Sequence, residues 1–146
     1  LRLNKIACSS GRKQMVTFFY CVLDIKQKLI RFSNAGHNFP YLVRNGKAGF
    51  IGEPASLPLG VNPNQTYEES QLSLHPGDTL IFYTDGLVEA QKEKEFFGFE
   101  RLEQIIIRSA GLPPSMLKYK IISDVEHFCQ GQEPSDDITL VIAHLI

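Results

Sequence analysis

The feature that most constrains the fold is the run Val16-Thr17-Phe18-Phe19-Tyr20-Cys21-Val22-Leu23-Asp24-Ile25. β-Branched and aromatic residues fill it, and both alternating faces are apolar. That is the pattern of a strand buried on both sides. A polar turn, Lys26-Gln27-Lys28, follows it, and residues 29–33 read as the returning strand of a hairpin. Residues 41–44 and 48–51 flank Asn45-Gly46, a strong two-residue hairpin signal. Residues 52–66 hold Gly52, Pro54, Pro58, Gly60 and Pro63 and read as a loop. A further strand begins at residues 71–74, and His75-Pro76-Gly77-Asp78 forms a turn. Residues 79–84 are a third strongly apolar strand, which stops at Asp85-Gly86.

The period then changes. Phe99, Leu102, Ile105 and Ile106 share one helical face, and Gly111 with Pro113 ends that helix. Ser115 is a candidate cap for a second helix, whose stripe is Leu117, Ile121, Val125 and Phe128, with Ile122 and Cys129 beside it. Residues 131–135 read as a loop and residues 138–145 as a last apolar strand. Strands, two helices and a closing strand predict an α+β domain with helices laid on an antiparallel sheet. At 146 residues, with 43% hydrophobic and 21% charged residues, the chain is sized for one domain with a real core. That apolar content also excludes disorder. A net charge of −1 removes the electrostatic case for a nucleic-acid binder. The longest apolar runs, such as residues 105–107, are far too short to span a bilayer.

Cys8, Cys21 and Cys129 lack the paired spacing of a zinc site or the density of a disulfide scaffold. They read as reduced thiols, at least two of them in the core, which points to the cytoplasm. Two acidic sites stand out, because each lies at the edge of an apolar strand. Asp85 follows residues 79–84, and Asp136-Asp137 precedes the last strand. Two such strand ends placed together make an oxygen-rich pocket suited to Mg²⁺ or Mn²⁺. Each acid alone reads equally as a turn or cap. Ser33-Asn34-Ala35-Gly36-His37-Asn38-Phe39-Pro40 is the other dense segment. Gly36 there permits unusual backbone angles, and His37 can titrate, ligate or hydrogen-bond. On spacing alone, a tight turn closed by its own side chains accounts for it as well. His75, His127 and His144 have no ligand-like partners nearby in sequence, and Lys92-Glu93-Lys94-Glu95 reads as a solvated loop or helix start. There is no phosphate-binding glycine loop and no Gly-x-Ser-x-Gly nucleophile turn.

Seven short motifs occur in a fixed order. They are Met15-Val16-Thr17, Asn34-Ala35-Gly36-His37-Asn38, Leu57-Pro58-Leu59-Gly60, Pro76-Gly77-Asp78, Tyr83-Thr84-Asp85-Gly86-Leu87-Val88-Glu89-Ala90, Phe97-Gly98 and Asp136-Asp137-Ile138-Thr139-Leu140. In that order the chain resembles the metal-dependent serine/threonine protein phosphatase (PPM) superfamily, in its bacterial SpoIIE-like branch, over essentially its whole length. The resemblance implies an α-β-β-α sandwich of two antiparallel sheets flanked by helices, incomplete at the amino terminus. It implies that Asp85 and Asp136 ligate a binuclear Mn²⁺ or Mg²⁺ centre. Asp137 would be a neighbour in the metal shell or a structural turn residue, Gly86 would lie beside it, and Asn34, Gly36 and His37 would lie near the active-site region. The implied reaction is hydrolysis of phosphoserine or phosphothreonine by a metal-activated water, with no covalent phosphoenzyme. The substrate would be a phosphorylated protein of the anti-sigma-factor-antagonist type, in a bacterial signalling pathway that regulates a sigma factor.

The family also carries an Asp-x-x-Gly-His-Gly motif that supplies a further metal-ligating Asp, and nothing like it occurs here. Residues 1–6 read as the end of the helix that follows that motif. The chain is therefore expected to be the carboxy-terminal portion of one phosphatase domain, residues 1–146. Alone it is expected to hold metal weakly and to be weak or inactive. The uncovered strand surfaces would favour a homodimer, while the parent protein is cytoplasmic or tethered to a membrane by another part. The rival reading is a non-catalytic phosphoprotein- or partner-binding module derived from a phosphatase. Retention of both Asp85 and Asp136 argues against it. A β-sandwich with a structural Ca²⁺ explains the acids but not the ordered motifs.

Overall fold

The computed structural model describes residues 2–9, 15–132 and 136–146. In chain order they form α1 (Arg2–Ser9), β1 (Phe18–Asp24), β2 (Leu29–Ala35), β3 (Tyr41–Arg44), β4 (Lys47–Phe50), β5 (Ala55–Ser56), β6 (Ser70–Ser73), β7 (Thr79–Tyr83), α2 (Asp85–Val88), β8 (Gln91–Lys92), β9 (Glu95–Phe96), α3 (Gly98–Arg108), α4 (Pro114–Cys129) and β10 (Leu140–His144). The chain divides into two compact units, residues 1–39 with 52–75 and residues 40–51 with 76–146. Each contains one four-stranded sheet of mainly antiparallel strands, as the α+β expectation requires, and the second also holds the two-stranded β8–β9 sheet.

In the first unit β1 and β2 pair antiparallel, in register from Phe18 opposite Ala35 to Asp24 opposite Leu29. The turn between them is held by Asp24, whose Oδ1 accepts the Gln27 N–H at 2.9 Å. β2 also pairs antiparallel with β6 and parallel with β5, so it lies inside the sheet and buries Ile30, Phe32, Asn34 and Ala35. Among the described strands β1 pairs with β2 alone. Its Phe18, Tyr20 and Val22 are 37%, 58% and 40% exposed, which corrects the expectation of burial on both faces. The apolar pattern records what a strand is able to bury, whereas burial needs a layer against each face. The Phe19 ring stacks 5.7 Å from that of Phe32 on the neighbouring strand, which shields its face in part, while Leu23 on the same face is 40% exposed. In α1, Asn4 is buried because it holds the 52–66 loop. Its Nδ2 donates to the Asn62 carbonyl at 2.8 Å and its Oδ1 accepts the Gly60 N–H at 3.0 Å.

In the second unit the strand order is β10-β7-β3-β4. The β3–β4 hairpin turns at Asn45-Gly46, with φ of 52° and 74°, the left-handed pair that a two-residue hairpin demands. β7 is hydrogen-bonded on both edges and buries Leu80, Ile81 and Tyr83. α3 adds Leu102, Ile105 and Ile106 to this core, and α4 adds Leu117, Ile121, Val125 and Cys129. Each such aliphatic side chain contributes about 1.5–3 kcal/mol through burial. The turn before β7 is fixed by a forked ion pair. Arg44 donates from Nε at 2.9 Å and from a terminal nitrogen at 2.6 Å to the two carboxylate oxygens of buried Asp78.

Several expectations for this unit change. Phe99 does not join the buried face of α3; it is exposed and meets the Phe50 ring edge-on at 6.3 Å. Ser115 does not cap α4, which starts at Pro114 with Pro113 in the cap position. Proline needs no N–H partner there, and its fixed φ already suits a helix. The charge run at 92–95 is the turn of the β8–β9 hairpin, with Glu93 at φ 58°. Arg101 secures that hairpin. It donates to the Phe96 and Phe97 carbonyls, pairs with Glu95, and stacks over Phe128 at 4.8 Å. Of the three free thiols, Cys129 alone is buried; Cys8 and Cys21 are half-buried, where at least two were expected in the core. The loop expected at 131–135 lies in part outside the described residues. No helix among the described residues is long and apolar enough to cross a membrane.

Candidate metal centre

The antiparallel pairing of β7 with β10 brings the two acidic segments to one end of the sheet. Leu140 lies opposite Tyr83, the last residue of β7, so the residues before β10 and after β7 emerge together. Thr84 fastens them. Its N–H donates to the Thr139 carbonyl at 3.1 Å, and its hydroxyl donates to the Asp137 carbonyl at 3.0 Å while accepting the Thr139 N–H at 2.8 Å. Behind this strap the backbones nearly touch. A methyl group on Gly86 would lie 2.7 Å from the Asp137 carbonyl oxygen and 3.0 Å from that of Asp136. Glycine is the residue that permits the approach.

Asp85 and Asp136 are both exposed, and each spends one carboxylate oxygen on its following amide. Asp85 accepts the Gly86 N–H at 3.1 Å and Asp136 accepts the Asp137 N–H at 2.8 Å. Among the described residues neither enters an ion pair, and Asp137 is likewise exposed. Two solvated carboxylates on a common rigid edge are donors suited to a hard divalent cation, which keeps much of its water. The described residues supply no third side chain: no group of three His, Cys, Asp or Glu lies close enough to hold an ion.

The Asn34–Asn38 segment belongs to the first unit. There the tight-turn reading describes the geometry. Asn34 is buried, its Oδ1 accepts the His37 N–H at 2.8 Å, and its Nδ2 donates to the His37 carbonyl at 3.0 Å. Gly36 has φ of 70°, and a Cβ there would fall 2.6 Å from a ring carbon of Pro58, so the turn accepts only glycine. The His37 Nδ1 lies 3.3 Å from the Thr17 hydroxyl, which orients the ring. Asn38 Nδ2 is buried with no hydrogen-bond partner among the described residues. Sequence reasoning passed over Thr84, whose one signal was its position between a buried strand and an acid.

Over residues 1–146 the chain matches the family described as Stage II sporulation protein E (SpoIIE). It is 29% identical over 144 residues to Protein IcfG of Synechocystis sp., a match covering 95% of this chain and 22% of that protein. It is 24% identical over 126 residues to the phosphoserine phosphatase RsbP of Bacillus subtilis, covering 86% of this chain and 30% of RsbP. Among solved structures, the SiaA-PP2C domain of Pseudomonas aeruginosa superposes with a TM-score of 0.82 at 17% identity, over 97% of this chain and 56% of that one. The Mn-presoaked phosphatase domain of SpoIIE from Bacillus subtilis gives 0.69 at 19% identity, over 88% and 56%. These likenesses show the fold, that of a PPM phosphatase domain. The chain spans 22% to 42% of the length of the curated relatives it matches. Matched from end to end, the chain belongs to the SpoIIE family.

Proposed function

We propose that residues 1–146 form part of one metal-dependent phosphoprotein phosphatase domain. Its reaction would be hydrolysis of phosphoserine or phosphothreonine on a partner protein in a sigma-factor-regulating pathway. The observation that supports this reading is the Thr84 strap, which joins the backbone that leaves β7 through Asp85 to the backbone that enters β10 from Asp136. Among the described residues neither carboxylate enters an ion pair, and each bonds only its following amide. Asp85 and Asp136 would hold Mn²⁺ or Mg²⁺, whose chemistry here is to polarise the phosphoryl group and activate water. Gly86 lets the backbone after Asp85 lie against the carbonyls of Asp136 and Asp137. Asn34 and Gly36 fix the turn that carries His37, and Thr17 orients its ring. The three free thiols support a cytoplasmic setting, and the apolar face of β1 supports self-association. Light scattering at rising concentration reads the latter, and a monomer throughout would end it.

The test is hydrolysis of p-nitrophenyl phosphate with Mn²⁺. It is run on this chain and on a longer protein that carries it, with Asp85→Asn and Asp136→Asn beside each. Loss of a group that merely orients a ligand costs 10–100-fold, so loss of a ligand is expected to cost about 100-fold or more. The lack of a third ligand among the described residues favours one other reading, a module that binds a phosphoprotein without cleaving it. Inactivity of both forms, with binding of a phosphoserine peptide unaffected by chelator, would select it.

A further inference from the structure

Thr84 occupies the N-cap position of α2, with extended backbone at φ −88° and ψ 161°. There a threonine hydroxyl ordinarily accepts the N–H of the second or third residue of its own helix. Here it makes no such bond. Both amides are held by other groups. The Gly86 N–H goes to the Asp85 carboxylate at 3.1 Å, and the Leu87 N–H goes to the Thr84 carbonyl at 3.1 Å. The hydroxyl is thereby released for residues 136–139, which lie in no strand or helix. The ladder of β7 and β10 starts only at Leu140 opposite Tyr83. Of the three hydrogen bonds that tie this segment to Thr84 among the described residues, two end on the hydroxyl. It donates to the Asp137 carbonyl and accepts the Thr139 N–H. The third runs from the Thr84 N–H to the Thr139 carbonyl and needs no side chain.

We propose that Thr84 is a positioning residue for the candidate metal centre. Its hydroxyl holds the backbone that carries Asp136 against the backbone that carries Asp85, and so sets the affinity for a divalent cation. The inference rests on the metal-dependent reading given above. A ligand whose backbone is free to drift must be ordered when the cation binds, and that ordering opposes binding. The hydroxyl acts as donor and acceptor at once. Serine keeps both functions, whereas valine keeps the shape and has neither.

The test uses a longer protein that carries this chain, because the described residues supply no group of three metal-holding side chains. Free Mn²⁺ is followed through a titration by its electron paramagnetic resonance signal, so no turnover is needed. Thr84→Val is expected to weaken Mn²⁺ binding about 10–100-fold, the effect of removing a group that orients a ligand, with circular dichroism unchanged. Thr84→Ser is expected to bind as the parent protein does. Asp85→Asn and Asp136→Asn, titrated beside them, read the metal assignment itself. If the aspartate variants weaken binding and Thr84→Val does not, the positioning role is overturned and the phosphatase reading stands. If neither aspartate variant weakens it, that reading fails and this inference falls with it. Equal loss in Thr84→Val and Thr84→Ser would overturn the role by assigning the effect to packing. Should Thr84→Val lose the fold, Thr84→Ala makes the same removal with a smaller side chain. Loss of the fold in both would overturn the role, by making the hydroxyl a determinant of the fold rather than of the site.

Discussion

Strands β1 and β7 carry the same kind of sequence and have opposite surroundings. Both are runs of aromatic and branched residues with apolar side chains on each face. β7 has a hydrogen-bonded neighbour on each edge, and its Leu80, Ile81 and Tyr83 are buried. β1 has one such neighbour among the described strands, and four of its large apolar side chains, Phe18, Tyr20, Val22 and Leu23, are exposed. Local composition thus determines that a segment is a strand, while its burial is decided by partners far away in sequence. β7 takes one of those partners from 57 or more residues downstream and another from 36 or more upstream, and no local pattern can report either.

The largest effect that would sharpen this contrast is truncation on the two strands. Ile81→Ala is expected to cost about 2–5 kcal/mol, through lost burial and the cavity left behind. Tyr20→Ala on the open face of β1 should stay within about 0.5 kcal/mol. Urea unfolding checks both, and equal losses would break the comparison. Next comes Asp78→Ala, which removes the carboxylate that Arg44 grips from two nitrogens. A loss of about 1–3 kcal/mol is expected in the same measurement, because a hydrogen-bonded charge loses its partner. Gly86→Ala should cost a similar 1–3 kcal/mol, since its methyl would press on the Asp137 carbonyl. Gly49→Ala in β4 meets nothing within 4 Å and should be close to neutral. The smallest effect is chemical. Burial pushes the thiols of both Cys21 and Cys129 up, so at pH 8 each holds less thiolate than a free cysteine. Alkylation should therefore accelerate as the pH rises, with half-buried Cys21 on β1 labelled ahead of Cys129. Mass spectrometry of a timed iodoacetamide reaction would show the order, and labelling of Cys129 first would contradict it.

Much of the fold was legible because its signals are local. Asn45-Gly46 marks a hairpin whatever surrounds it, and the stripe Leu117, Ile121, Val125 marks a buried helix face. The misreadings share one cause. Phe99 fits the α3 period, yet it lies at the border of the stripe, exposed and edge-on to Phe50. Ser115 has the right chemistry for a cap, but Pro114 had already started the helix one residue earlier. At the candidate centre the sequence marked Asp85 and Asp136 by their place at strand ends. It could not show the Thr84 strap, because pairing of β7 with β10 is what brings Thr139 to that hydroxyl. The Asn34 turn was half legible, since its two bonds to His37 are local. The ring of Pro58 that restricts residue 36 to glycine was not.

The Thr84 hydroxyl has a consequence in time as well as in space. It accepts the Thr139 N–H just beyond the ends of β7 and β10, so that amide exchanges with solvent whenever the side chain turns away or the strands part. The bond from the Thr84 N–H to the Thr139 carbonyl joins backbone to backbone and yields only when the strand ends part. Deuterium uptake at Thr84 set against that at Thr139 becomes a clock for strand opening at the site, readable without substrate or ion.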